Sequence, residues 1–166
     1  MFATTKRLAQ ALALLASVLG PCALAQVAAA GEPTLEGTWV LDHRVMPDGR
    51  TRTAPDVIGV MTFIGGLRNM NVYWDADGKP SSISLIVRYK FDASQYAEDG
   101  IFYASGIDGA PIVYDTKKEH GSSPVTTKDG KSSWQFPLYG KRSVEITAEG
   151  LTARGKDFVD HWKRVH

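Results

Sequence analysis

From Ser82 to Phe91 the chain reads SISLIVRYKF. Ile83, Leu85, Val87, Tyr89 and Phe91 take every second place. Ser84, Arg88 and Lys90 take places between them, with Ile86 the exception. A repeat of two is the repeat of an extended strand, whose successive side chains point to opposite faces. One apolar face and one polar face describe a strand buried on one side and wetted on the other, the usual state of an antiparallel sheet.

The rest of the chain repeats the theme in short pieces. Gly37 to Arg44 is expected to be a strand, with Trp39, Leu41 and His43 on one face. Val57 to Ile64 (VIGVMTFI) is a near-continuous apolar run, followed by a tight turn at Gly65-Gly66 and a return strand from Asn69 to Trp74. On that return strand Met70, Val72 and Trp74 share a face. Ile101 to Ser105 is expected to pair with Pro111 to Thr116. Trp134, Phe136 and Leu138 alternate, and Pro137 marks a position that cannot donate to a ladder. Val144 to Thr147, Leu151 to Arg154 and Asp157 to Val165 close the series. Three stretches read as connections: 46–56 (MPDGRTRTAPD), 92–100, and 117–133 (KKEHGSSPVTTKDGKSS). No amphipathic helix longer than a turn or two is found. The expectation is an all-β fold of eight to ten strands in residues 35–166. Such a meander loses its open edges by closing as an antiparallel up-and-down barrel, which sets the last strand beside the first.

Leu35 to His43 (LEGTWVLDH) opens the series, and Gly37-Thr38-Trp39 at the start of the first strand resembles the lipocalin and lipocalin-like (calycin) β-barrels. The likeness covers this three-residue motif and the strand layout. It implies that Trp39 plugs a closed base, a place where a large rigid indole fills space at high apolar density. It also implies that a basic residue near the C-terminus covers the indole, and Arg164 stands at the matching position.

Residues 1–25 read as an export signal. Lys6 and Arg7 precede an apolar run from Leu8 to Leu19, and Ala23-Leu24-Ala25 is a small-residue cleavage site. The run is too short and alanine-rich for a stable membrane span. Cleavage after Ala25 would leave a secreted or periplasmic chain with a flexible lead-in at 26–34. The one cysteine, Cys22, falls inside the signal. The exported chain therefore has no disulfide framework and must rest on its core. Lys6 and Arg7 are two of the 19 basic residues, which leaves 17 against 18 acidic, a formal −1. That balance argues against nucleic acid or an anionic membrane surface as partner. A monomer is expected.

Catalytic signatures are absent: no G-x-S-x-G, H-E-x-x-H, P-loop or paired cysteines occur. No cofactor is expected. Asp42-His43 and Asp160-His161 are two acid–histidine pairs on strands expected to be neighbours. A metal or haem site there is an alternative to plain solvated histidines, although adjacent residues of a strand face opposite ways. The remaining feature is the apolar inner face: Met70, Val72, Trp74, Leu85, Val87, Tyr89, Trp134 and Phe136. An apolar cup with a few polar tips is the common form of a small-molecule site. The sequence reading is thus an exported protein that binds a small, mainly apolar molecule. A filled barrel acting through its loops, and an enzyme using the same cup, stand as the other readings.

Overall fold

The computed structural model describes residues 34–76 and 78–165. The stretch read as an export signal, with its expected cleavage site and most of the expected lead-in, lies outside the described residues. The described residues are all β, with thirteen strands. They are β1 Gly37–Val45, β2 Thr51–Arg52, β3 Val57–Ile64, β4 Leu67–Ala76, β5 Lys79–Phe91, β6 Gln95–Gly106 and β7 Val113–Asp115. β8 His120–Pro124, β9 Thr126–Lys128, β10 Lys131–Gln135, β11 Ser143–Ile146, β12 Leu151–Arg154 and β13 Val159–Val165 complete the set.

Every pairing is antiparallel, in the order β7-β6-β5-β4-β3-β1-β13-β12-β11-β10-β9, with β2 added to β1 and β8 to β6. The first and last long strands are neighbours, Trp39 facing Arg164 and Leu41 facing Trp162. Gly65-Gly66 forms the two-residue turn between paired Ile64 and Leu67. The hydrogen-bonded order does not return on itself, so the sheet is open, not a ladder-closed barrel. It nevertheless rolls until its far ends meet. In β8, Ser123 Oγ donates to the Gln135 carbonyl of β10 at 2.6 Å and accepts from its N–H at 3.1 Å. A Cβ on Gly121 would lie 2.7 Å from Pro137 Cβ, so only a residue without a side chain lets the 136–138 segment cross this seam. Trp134 of β10 reaches Tyr96 of β6 with ring centroids 5.6 Å apart. One continuous core fills the space between.

Four expectations are corrected. The strand count is thirteen, not eight to ten: β7 falls where a strand was expected, but β2 and β9 are two or three residues long and mostly exposed. Such pieces carry no apolar period to detect. Residues 117–133 hold β8, β9 and the start of β10, and 46–56 holds β2. The polar stretch 92–100 is a turn and then a strand. Asp92 Oδ1 accepts from the N–H groups of Ser94 and Gln95, which reverses the chain at once into β6. Its inward places are Tyr96, Glu98 and Gly100, and a buried acid breaks the apolar alternation.

The fourth correction concerns β1. Its register against β13 shifts between Leu41 and His43, a β-bulge that inserts Asp42. The bulge reverses the alternation beyond it. Trp39 and Leu41 face the core as expected, but the next buried residue is Arg44, and His43 turns outward.

Candidate functional site

One end of the rolled sheet is built on Trp39, only 1% exposed. Its indole N–H donates to the Leu35 carbonyl at 3.0 Å, and Leu35 is buried beside it. The Arg164 guanidinium lies 4.7 Å from the ring centroid and donates to the Thr34 carbonyl. Cross-strand pairing puts Arg164 and Trp39 on one face, so the register itself delivers this stacking. Gly37 has a φ of +124°, a conformation costly for any residue with a Cβ; the atoms nearest such a Cβ belong to Arg164. Tyr89 is half-buried at this end and donates to Glu36 Oε1 at 2.8 Å. Burial first, then the Glu36 carboxylate, pushes its phenol well above the ordinary range. A cleft of about 240 Å³ lies alongside, lined by Thr34, Phe91, Val125 and Ser132 among others.

Of the eight residues expected to line a cup, Met70, Val72, Leu85, Val87, Trp134 and Phe136 are buried, at most 5% exposed. They are brought together on the inner face but as packed core. The sequence reading did not single out Tyr96, which sits among them, its ring 5.5 Å from Phe136 and 6.2 Å from Tyr89. Trp74 and Tyr89 are the two of the eight that stay partly open. They lie at opposite ends: Trp74 pairs with Val57, while Tyr89 reaches Glu36.

The interior is more polar than its sequence suggests. Arg44 donates from Nε to Asp160 Oδ1 at 2.6 Å and from Nη2 to Oδ2 at 3.0 Å, and Asp160 has no exposure. Arg142 reaches the same Oδ2 from Nη1 at 3.5 Å. Deeper in, Arg68 meets Glu98 at 2.5 Å, and Tyr96 donates its hydroxyl to Glu98 at 2.6 Å. Arg68 Nε, Glu98 Oε2 and the Trp134 indole N–H have no partner among the described residues. Burial alone would lower the Arg68 pKa; the Glu98 charge overcomes it and the net direction is up. Burial raises the Tyr96 phenol strongly. None of these five charged residues was expected inside, and Asp160 was singled out only as half of an acid–histidine pair. A lone Arg, Asp or Glu between apolar residues reads as the wet face of a strand, and only the pairing register turns it inward.

At the Trp74 end the arginines are stacked on rings. The Arg44 guanidinium lies 3.8 Å from the Phe158 centroid and 5.1 Å from that of Trp74. Arg142 lies 4.8 Å from the Phe158 centroid. Tyr103 and Tyr139 stack at 4.5 Å nearby. Trp74, Ile83, Tyr103 and Tyr139 pack on the core while keeping part of their surface in solvent. Arg142 has its pKa lowered, by burial first; Asp160 opposes the fall, and the Arg44 and Arg68 charges add to it. This end therefore combines half-open aromatic rings with a guanidinium in a positive surround.

His43 and His161 are on the outer face. His43 and His161 stack with centroids 4.4 Å apart and planes 14° apart. Asp42 Oδ2 lies 2.7 Å from His43 Nδ1, and Lys163 Nζ lies 2.7 Å from Asp42 Oδ1. These two bonds hold the Asp42 carboxyl below its ordinary range. Burial first and the neighbouring His43 second lower His161. The cleft over them, about 260 Å³, is also lined by Glu145, Glu149 and Thr152. Parallel rings send their lone pairs side by side instead of to one point. Among the described residues no group of three or more His, Cys, Asp or Glu is placed to hold a metal ion. A second outer groove of about 360 Å³ runs over Ile58, Val60, Tyr73 and Ser82. No helix among the described residues is long and apolar enough to cross a membrane.

Comparison of the chain with protein-family models, curated proteins and solved structures gives no match.

Proposed function

We propose that this is an exported, lipocalin-like carrier that binds a small, mainly apolar molecule at the Trp74 end of the rolled sheet. The observation that supports it is the set of half-open rings gathered beside Arg44 and Arg142 at the Trp74 end. Around Trp39 the indole is buried, hydrogen-bonded and covered by Leu35 and Arg164. At the other end Trp74, Ile83, Tyr103 and Tyr139 are held against the core with open surface remaining. Rigid rings that are half-solvated lose water contact when a ligand arrives, at about 25 cal/mol per Å² of apolar area before ordering costs. They lose little conformational freedom in doing so, because the core already fixes them.

The Gly37-Trp39-Arg164 arrangement also supports the lipocalin-like reading, since it is the arrangement that the likeness implies. The packed middle of the core limits the ligand to the end, and this favours a shallow site over a deep one.

A thermal-shift and tryptophan-fluorescence screen with fatty alcohols, retinoids and isoprenoids tests the proposal. A binder raises the melting temperature because it engages the folded state alone, by about 2.7 kcal/mol of stabilisation at a hundredfold excess over Kd. It also changes the Trp74 emission, and Trp74→Phe removes that change while leaving the thermal shift. A well-folded protein that responds to no apolar compound would exclude the carrier function.

A further inference from the structure

The carrier reading leaves the charge of its ligand open, and the interior ion pairs bear on it. Arg44, Arg68 and Arg142 face two carboxylates, Glu98 and Asp160. Arg68 and Glu98 form one pair at 2.5 Å. Arg44 takes both oxygens of Asp160 at 2.6 and 3.0 Å. Arg142 is left with a 3.5 Å contact to an oxygen that Arg44 already holds. That is its one side-chain hydrogen bond among the described residues. One positive charge is uncompensated, and it sits on Arg142.

The position of Arg142 matters as much as its charge. Its side chain is 12% exposed, against 3% for Arg44 and 1% for Arg68. It is the outermost of the three, resting on Phe158 beside the half-open rings. The charges acting on it are Asp160, Arg44 and Arg68, while the acids Glu119, Asp115 and Glu98 act on Tyr139. A buried or half-buried charge without a full partner is costly, and a ligand anion that completes it recovers that cost. A guanidinium presents its donors as a planar fork that matches the two oxygens of a carboxylate.

We propose that the ligand bound at this end is a monoanionic amphiphile, an apolar body ending in one carboxylate, and that Arg142 receives the carboxylate while Trp74, Tyr103, Tyr139 and Phe158 take the apolar body. The proposal rests on the carrier reading and adds to it the sign and number of the ligand's charges. One surplus charge matches one carboxylate. A neutral apolar body would leave Arg142 partnered as it is now, and further desolvated.

Isothermal titration at pH 8 with dodecanoate and with dodecanol, below their aggregation limits, separates the possibilities. The two probes share a chain and differ in the charged end. The native protein is expected to bind dodecanoate at least tenfold more tightly, the scale of a charge-assisted hydrogen-bonded contact. Arg142→Gln should remove most of that preference, weakening dodecanoate far more than dodecanol. Arg142→Lys should restore part of it, having charge but no fork. If Arg142→Gln fails to fold by circular dichroism, Arg142→Lys and the native preference still decide the matter. Equal affinities for the two probes in the native protein would overturn the proposal while leaving the carrier reading intact. So would an Arg142→Gln variant that keeps the preference, or one that weakens both probes alike. If neither probe binds, both readings fail together.

Discussion

Asp160 has no solvent exposure and holds two arginines, so it is the residue whose chemistry is least tolerant of change. The cost of removing it follows from what remains. Asp160→Leu leaves Arg44, 3% exposed at its side chain, with no counter-charge in an apolar surround. Breaking a buried pair on one side typically costs about 3–5 kcal/mol. Replacing both partners by apolar residues of similar volume is far milder, and often neutral. Denaturant melts of Asp160→Leu and of the double variant Arg44→Met/Asp160→Leu should therefore show a large loss for the first and recovery of most of it in the second. Arg142, the outermost of the three arginines, is the one with some exposure, 12% at its side chain, and loses only a 3.5 Å contact in both variants. A loss below about 1 kcal/mol for Asp160→Leu would place the pair in the range of a solvated surface bridge.

At the scale of elements, β1 and β13 carry most of what the sequence both reveals and conceals. Their adjacency was legible, because a meander that rolls up brings its ends together; Arg164 was named over Trp39 by the resemblance alone, since the register that pairs them is not written in the sequence. The β5 strand was legible from its period alone. The bulge at Asp42 was not, because an inserted residue changes no composition and only shifts the phase of the alternation. That shift decides which chemistry faces the core, exchanging His43 for Arg44. Glu98 was hidden for a related reason: a buried acid mimics an exposed one until its partner, Arg68, is found thirty residues away in the chain and next to it in space. The apolar members of the inner face were legible, but not that they would fill it. Packing depends on how tightly the sheet rolls, which no local pattern states.

The same bulge makes a pH-dependent element. His161 stacks on His43, and its pKa falls from the ordinary value of 6.5 through burial and through His43, with Arg154 adding to the fall and Asp160 and Asp42 opposing it. A histidine with a folded-state pKa below its unfolded value binds protons more readily when unfolded. Its contribution is fully present above pH 6.5 and is lost as the pH falls from there through the folded-state pKa. The melting temperature should accordingly decline between pH 7 and pH 5, and His161→Gln should flatten that decline. Identical slopes for the two proteins would show that the stacked pair does not titrate with folding.

As a whole the described residues form an open thirteen-stranded sheet rolled around one core, with Trp39 buried at one end and Trp74 half-solvated at the other. The clefts over Ile58, Val60 and Tyr73, over the stacked histidines, and beside Phe91 at the Trp39 end are the competing places for a ligand. The central claim is that a ligand goes to the Trp74 end and to none of these clefts. Backbone amide chemical shifts, followed by NMR as an apolar probe is titrated, locate it directly. The account predicts the largest changes at Val57, Trp74, Ile83, Tyr103, Tyr139, Arg142 and Phe158, with little change at Thr62, Asn69 and Thr152. Changes centred on Ile58, Val60 and Tyr73 without Tyr139 and Phe158, on His43 and His161, or on Phe91, would contradict it.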